Sequence, residues 1–108
     1  MTHSYNRLTG IVVCLAGFIA ASPAFAQGNV ADLYKAKCTV CHAADGTGST
    51  PAGKKLGVRD FHSPVVVKES DTELFDITKK GKEKMPAYDN KLTDDQIKEL
   101  VKYIRSLK

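Results

Sequence analysis

The chain has 108 residues, a formal net charge of +4 and charged side chains at 26% of its positions. This length is enough for one small domain, and no internal repeat, low-complexity run or linker indicates a second. Only three cysteines are present, and one of them, Cys14, lies in an apolar run near the amino terminus. The remaining two are too few for a disulfide-stapled framework.

Residues 1–26 are predicted to be an export signal that is removed. Arg7 is their only formally charged side chain, residues 8–21 form the apolar run, and residues 24–26 (Ala-Phe-Ala) are a small-x-small cleavage site. The run is shorter than the roughly 20 apolar residues that a membrane-spanning helix needs. We therefore expect an exported domain of residues 27–108 without stable membrane insertion. An uncleaved anchor is the alternative.

A helix is predicted at the start of this domain. Asn29 is a suitable N-cap for a helix that runs from about Val30 to Cys38 or slightly beyond. Its apolar residues recur at helical spacing and are Val30, Leu33 and Tyr34. This stripe should pack on another helix of the domain.

The helix leads into Cys38-Thr39-Val40-Cys41-His42, which places two thiols and one imidazole within five consecutive residues. If the segment is helical, Cys38, Cys41 and His42 stand at i, i+3 and i+4 and share one face. Cys-x-x-Cys-His is the attachment signature of a c-type haem. From such a face, both thiols can form thioethers with the haem vinyl groups while His42 reaches the iron from the same side.

Residues 43–57 have the composition of turns and loops, with four glycines and Pro51. Lys54 and Lys55 within this stretch, and Arg59 just after it, are candidates for pairing with haem propionates. Arg59 is preferred because a guanidinium matches the geometry of a carboxylate. The two lysines are expected to be solvated.

His62 is the only other histidine of residues 27–108. It lies in a loop-like stretch before Pro64, and we interpret it as a surface or hydrogen-bonding residue, with an iron ligand as the alternative. Phe61 and the three valines at 65–67 are expected to pack on the haem or beneath the next helix.

Two capping boxes predict the last two helices. The first pairs Ser70 with Glu73 and begins a helix that ends at Gly81. The second pairs Thr93 with Gln96 and begins the carboxy-terminal helix. The apolar stripe of that helix is Ile97, Leu100, Val101, Ile104 and Leu107.

Met85 lies between these two helices and is the only methionine of residues 27–108. Pro86 disfavours a helical conformation at Met85, so the thioether should project from an extended loop. A lone methionine most often fills a gap in a core. The haem-attachment motif favours the alternative, in which Met85 is a ligand of the iron.

The attachment motif, the Met-Pro loop and the capped carboxy-terminal helix resemble the small class I cytochromes c, in particular bacterial c551- and c6-type proteins, from about residue 29 to residue 108. The resemblance implies an all-α fold of three to four helices wrapped around one covalently bound haem c. It also implies that His42 and Met85 are the axial ligands of the iron and that the Pro51 carbonyl accepts a hydrogen bond from His42. An ordinary turn proline is the alternative for Pro51.

An iron held by an imidazole and a thioether has no open position for a substrate. The expected function is therefore the transfer of single electrons through the exposed haem edge, by an outer-sphere route and without a catalytic residue. We expect a periplasmic monomer whose partners are membrane or periplasmic redox proteins, and no nucleic acid. A shuttle to a terminal oxidase, an acceptor for a dehydrogenase and a photosynthetic carrier would share these residues.

Four lysines surround the Met85 loop: Lys79, Lys80, Lys82 and Lys84. We expect this lysine cluster to attract acidic docking patches on the redox partners. A solubilising surface is the alternative.

Three other classes of protein compete with the electron carrier. A haem enzyme such as a peroxidase would require Met85 to dissociate from the iron. A thiol oxidoreductase would require a βαβ context and a reactive thiolate. A structural zinc site would require about four ligands, and residues 27–108 offer two cysteines and two histidines with poor spacing.

Overall fold

The computed structural model describes Gly17 and residues 27–108, so the predicted export signal lies outside the described part except for that glycine. The described residues contain six helical segments and no strand. These are α1 Gln27–Lys37, α2 Thr39–His42, α3 Pro51–Leu56, α4 Pro64–Lys68, α5 Asp71–Lys80 and α6 Asp94–Ser106. The all-α class is confirmed, although short segments raise the number of helices above the three to four expected. None of the helices described is both long and apolar enough to cross a membrane.

The core forms where α6 packs against α1 and α5. Its principal cluster of buried side chains consists of Val30, Tyr34, Leu92, Ile97 and Leu100. The rings of Tyr34 and Tyr103 lie 5.1 Å apart between centroids and join α1 to α6. Each large apolar side chain buried in this way contributes about 1.5–3 kcal/mol. Both predicted stripes face the core, although Leu33, Ile104 and Leu107 are only partly buried.

Both capping boxes form as predicted. The Ser70 amide donates to the Glu73 carboxylate over 2.6 Å, and the Glu73 amide donates to the Ser70 hydroxyl over 3.2 Å. The Thr93 amide and the Gln96 side chain make the equivalent bond over 2.8 Å, and the Gln96 amide donates to the Thr93 hydroxyl over 3.2 Å. These reciprocal bonds satisfy amides that have no partner within their own helix.

The first helix starts three residues earlier than the predicted Val30, and it is interrupted at Cys38. Cys38 keeps a bond from its amide to the Tyr34 carbonyl over 2.8 Å, and its own carbonyl accepts from the His42 amide over 2.9 Å. Cys38 is therefore a junction between α1 and α2, and the chain continues in a helical sense up to His42.

The short helices α3 and α4 were not predicted. Each begins with a hydroxyl side chain that caps the helix, followed by proline at the first helical position. Proline has no amide hydrogen, but an amide at this position would have no partner within the helix, so no hydrogen bond is lost. The Thr50 hydroxyl accepts from the Gly53 amide over 2.9 Å, and the Ser63 hydroxyl accepts from the Val66 amide over 3.5 Å. These signals were present in the sequence, but helices of six and five residues are too short to show an apolar period.

Of the three valines expected to pack on the haem or beneath the next helix, only Val66 lines the cavity or joins a buried cluster. Val66 is 2% exposed, whereas Val65 is 64% and Val67 59% exposed. Successive residues of a helix point about 100° apart, so only one of three neighbours can face the core. Phe61 does pack against the cluster that includes Leu74 of the next helix, as expected, and its ring also stacks on that of His42 with 4.6 Å between centroids.

Gly53 allows α3 to lie against α2. A Cβ atom at this position would overlap the carbonyl oxygens of Cys41 and Gly48. Because both obstacles are backbone atoms, no side-chain rotation relieves the clash. We expect Gly53→Ala to lower the free energy of unfolding by about 3 kcal/mol, measured by chemical denaturation.

Gly57→Ala is the matched control. Gly57 has a φ of 66°, but a Cβ there would meet nothing within 4 Å, so only the left-handed strain of about 1 kcal/mol applies. A Gly53→Ala protein as stable as the Gly57→Ala protein would contradict the close approach of α3 to α2.

Candidate functional site

A cavity of about 390 Å³ opens between the α1–α2 segment and the loop that follows α5. Cofactor sites typically have volumes of about 300–1,000 Å³ and mainly apolar walls. The apolar wall of this cavity includes Phe61, Val66, Leu74, Ile77, Leu100 and Ile104. Cys38, Cys41, His42 and Met85 also line it, so the structure brings together the four residues that the sequence singled out.

Cys38 lies in an environment that suppresses its thiolate. Burial, with a smaller contribution from the nearby Cys41, raises the pKa of Cys38 to about 11. Both thiols are free. Reactive redox cysteines have lowered pKa values, so these properties disfavour the thiol oxidoreductase among the competing classes.

His42 is held in its neutral form. Burial lowers the pKa of His42, and the positive charge of Arg59 lowers it further. The neutral imidazole is the form that binds a metal. Its Nδ1 is buried and has no hydrogen-bond partner among the described residues, and His42 lines the cavity.

The predicted hydrogen bond from His42 to Pro51 is not made. Nδ1 of His42 has no partner, and Pro51 is an exposed residue at the start of α3. The prediction treated residues 43–57 as a continuous loop. The unpredicted helix α3 places Pro51 in a helical turn instead.

Ala43 directly follows His42 in an unusual conformation. Its φ of 63° and ψ of 165° lie in a region favoured by glycine. The buried hydroxyl of Tyr34 donates to the Ala43 carbonyl over 2.7 Å. The sequence predicted the packing of the Tyr34 ring but not this bond, which ties the backbone next to His42 to α1.

Met85 is positioned by a tight turn. The Met85 amide donates to the Lys82 carbonyl over 2.9 Å, and the Lys82 amide donates to the Met85 carbonyl over 3.1 Å. Within this turn Glu83 has a φ of 53°. Met85 is half-buried, and the predicted projection of its thioether from a non-helical loop agrees with its place in the cavity wall.

Gly81 is the residue that lets the Met85 loop fold back on the end of α5. Its φ is 77°, and a Cβ there would lie 2.7 Å from the Met85 carbonyl oxygen and 2.9 Å from the Ala87 amide nitrogen. The sequence predicted Gly81 only as the end of the helix. Its second role depends on a contact with residues four to six positions later, which the cap signal does not reveal.

Arg59 reaches the cavity and is also ion-paired. Its Nη1 lies 2.7 Å from Oε1 of Glu69, whose side chain is 16% exposed. Lys54 and Lys55 are exposed and do not line the cavity, in agreement with the preference for Arg59. Glu69 was not singled out in the sequence, because the nine residues between the partners include an unpredicted helix.

His62 does not line the cavity that contains Met85. Its Nδ1 lies 2.7 Å from the Asp60 carboxylate, and its Nε2 lies 3.2 Å from the Leu107 carbonyl oxygen. The interpretation of His62 as a hydrogen-bonding surface residue is therefore supported over that of an iron ligand.

The donor set of the cavity fits a haem c. Two thiols within one helical turn can form its thioether links, and an imidazole and a thioether are both ligands found on haem iron. The apolar wall suits a large flat porphyrin. Among the described residues, no group of three or more His, Cys, Asp and Glu side chains is arranged to hold a metal ion directly, so the zinc site finds no support there.

The comparisons with known proteins agree with this chemistry. Residues 25–104 match the family described as cytochrome c oxidase, cbb3-type, subunit III. Cytochrome c6 from Gloeothece citriformis (strain PCC 7424) is 33% identical over 96 residues, which cover 87% of this chain and 84% of that protein.

The chain is also similar to solved structures of c-type cytochromes. The KustC0563 c-type cytochrome superposes with a TM-score of 0.66 at 32% identity, over 72% of this chain and 95% of that one. The c-type cytochrome XoxG from Methylobacterium extorquens AM1 is 32% identical with a TM-score of 0.55, over 72% of this chain and 47% of XoxG. Cytochrome c6 from the diatom Phaeodactylum tricornutum, at 23% identity and a TM-score of 0.53, supports the fold alone.

The fold and the cavity thus define a class I c-type cytochrome with one haem-attachment motif. The chain belongs to the cytochrome family that matches residues 25–104, and within it the chain is similar to the electron carriers of the c6 type. Membership of this family implies one covalently bound haem c, and Cys38 and Cys41 have the spacing that its attachment requires.

The geometry of Gly81 generates a prediction about the Met85 loop. In Gly81→Ala the new methyl group must push the backbone of residues 85–87 away from α5, because the obstructing atoms are backbone atoms. We expect the loop to open more easily by about 2 kcal/mol. The amide hydrogen of Met85 should then exchange roughly 30 times faster than in the unmodified protein.

The control is again Gly57→Ala, which adds left-handed strain at a site with no neighbour within 4 Å. Its Met85 amide should exchange at the unmodified rate. Equal exchange rates at Met85 in the two variants would argue against a positioning role for Gly81.

Proposed function

We propose that this protein is a periplasmic carrier of single electrons, with one haem c attached through Cys38 and Cys41 and its iron held by His42 and Met85. The observation that carries the proposal is the convergence of these four side chains on one mainly apolar cavity. When bound, the haem supplies a centre that gains and loses one electron. Two strong-field protein ligands leave the iron no free position, which favours a carrier over an enzyme.

The protein residues set the properties of that centre. Both proposed ligands are uncharged, because burial keeps His42 neutral and a thioether carries no charge. A thioether donates weakly to ferric iron, so Met85 favours the reduced state. The apolar wall acts in the same direction by disfavouring the additional positive charge of the oxidised state. The reduction potential should consequently be higher than that of a bis-histidine haem.

Arg59 is the proposed partner of a haem propionate. It lines the cavity, and its ion pair with Glu69 uses only Nη1. The remaining donors of the guanidinium can bind a second carboxylate in bidentate fashion. Glu69 would then restrain the side chain that meets the propionate.

The proposed partner surface surrounds the mouth of the cavity. Val40 is 67% exposed and Leu56 38% exposed, and together with the exposed Pro86 they are apolar residues of the cavity lining. Lys37, Lys82 and Lys84 also line the cavity. Protein interfaces usually combine apolar residues with a polar rim. We use the name docking rim for all six residues: Lys37, Val40, Leu56, Lys82, Lys84 and Pro86.

The lysine cluster expected from the sequence is smaller than predicted. Lys79 is paired with Asp94 over 2.8 Å, and Lys80 is paired with Asp76 over 3.4 Å. Lys82 and Lys84 make no salt bridge with the described residues, and both line the cavity. We therefore assign the attraction of acidic partners to the docking rim and not to the end of α5.

Export and removal of residues 1–26 remain part of the proposal, since attachment of haem to the motif fits an exported domain. Amino-terminal sequencing of the mature protein tests this directly. Gln27 as the first residue is the expected result, and retention of residues 1–26 would indicate an anchor.

The ligand assignment is tested by Met85→Ala in the purified holoprotein. We expect loss of the weak sulfur-to-iron absorption band at the red end of the oxidised spectrum. The reduction potential should fall by on the order of 100 mV, well within the range of about 0.8 V that axial ligands span.

Lys84→Ala changes the adjacent residue without removing a ligand and should leave both properties intact. If the unmodified holoprotein lacks the sulfur band, the iron has another ligand or an open position, and a peroxidase-like haem enzyme becomes the better assignment. An unchanged potential in Met85→Ala would also contradict the proposal.

The docking rim is tested with two variants of equal net charge. Lys82→Gln/Lys84→Gln removes two charges at the rim, whereas Lys54→Gln/Lys55→Gln removes two exposed charges away from the cavity. At low ionic strength we expect the first variant to reduce the rate of electron transfer to an acidic redox protein about tenfold, and its rate should depend less on salt.

The control pair should change the rate by less than a factor of two. Equal losses in both variants would show that only the overall charge matters. A rate that is independent of salt in the unmodified protein would contradict electrostatic attraction altogether.

A further inference from the structure

Tyr88 connects the two sides of the cavity. Its hydroxyl donates to the carbonyl oxygen of Lys37 over 3.2 Å, across a separation of 51 residues. Lys37 is the last residue of α1, directly before Cys38, and Tyr88 lies three residues after Met85. Both Lys37 and Tyr88 line the cavity. Among the described residues this is the only hydrogen bond between residues 27–42 and residues 81–92.

The acceptor of this bond is well suited to it. A carbonyl in the last turn of a helix lacks an amide partner within the helix. A phenol that supplies a hydrogen there satisfies the carbonyl without disturbing the helix. The bond therefore joins the end of α1, which precedes the haem-attachment motif, to the loop that contains Met85.

The other groups of Tyr88 are also fixed. Its amide donates to the Thr78 carbonyl over 3.1 Å and to the Lys79 carbonyl over 3.2 Å. Its own carbonyl accepts from the amides of Lys91 and Leu92, each over 2.9 Å. Its ring packs against the principal core cluster. Because the backbone of Tyr88 is held in this way, a hydrogen bond that restrains its hydroxyl also restrains the loop that contains Met85.

From this geometry we propose that Tyr88 is a positioning residue that latches the Met85 loop against the end of α1 and so limits dissociation of Met85 from the iron. The inference rests on the proposed function, because it assumes that Met85 is a ligand. The inference assigns a role to Tyr88, which the ligand assignment alone does not do.

The test is the displacement of Met85 by added imidazole in the oxidised holoprotein, followed through loss of the sulfur-to-iron band. Tyr88→Phe keeps the ring and removes only the hydroxyl. We expect the rate of displacement to rise about fivefold, which corresponds to about 1 kcal/mol for one hydrogen bond. The band itself should remain before imidazole is added.

Tyr34→Phe is the matched control. It removes a hydroxyl that donates to the Ala43 carbonyl over 2.7 Å, and this bond lies entirely within residues 27–43. Tyr34→Phe should lower the midpoint of denaturation but leave the displacement rate unchanged. This separates a latch on the Met85 loop from general loosening of the fold.

Three outcomes would overturn the inference. An unmodified holoprotein without the sulfur band overturns the ligand assignment and the latch together. A normal band with the same displacement rate in Tyr88→Phe overturns the latch alone and leaves the proposed function intact. Equal acceleration in Tyr34→Phe and Tyr88→Phe would show that the effect comes from reduced stability and not from the bond to Lys37.

Discussion

The packing of α1 on α6 is the contact on which the geometry of the site depends. Tyr34 and Leu100 are each 1% exposed, and the Tyr34 ring lies against Tyr103. The same tyrosine accepts the Cys38 amide at its carbonyl and donates its hydroxyl to Ala43. One buried residue therefore bonds to the chain on both sides of the attachment motif, through its backbone carbonyl at Cys38 and its hydroxyl at Ala43. The direction of His42 follows from core packing and not from contacts made by the imidazole alone.

The Met85 side of the cavity is built differently. Its backbone bonds are short-range, from Lys82 to Met85 and from Tyr88 to the end of α5. Closing such a loop costs little conformational entropy, because few residues must be ordered for each bond formed. It also has little support from the core, since Lys82, Lys84 and Pro86 are exposed. Close backbone packing at Gly81 replaces the support that buried side chains give elsewhere.

This difference explains how much the sequence could predict. The helices α5 and α6 follow from local signals, because a capping box and a long apolar stripe are each contained within one segment. The attachment motif was likewise recognised from local spacing, whereas Met85 was proposed as a ligand because it is the only methionine of residues 27–108 and precedes Pro86. The short helices α3 and α4 were missed, since five or six residues carry no period and their positions depend on tertiary contacts such as that of Gly53 with Cys41. The bond from Tyr88 to Lys37 spans 51 residues, and no local pattern encodes it.

The two proposed ligands are therefore held in place by contacts of unequal strength. His42 ends a helical segment that the core holds through Tyr34, whereas Met85 belongs to an exposed turn tied to α1 by one phenol. Local opening in proteins begins where buried apolar contacts are fewest. Loss of a ligand should consequently start at the sulfur and not at the imidazole. The same exposed turn carries Lys82 and Lys84 of the docking rim, so the element that is proposed to approach a partner also contains the more weakly supported of the two proposed ligands. A partner that orders this turn on contact would stabilise the Met85 bond at the moment of electron transfer.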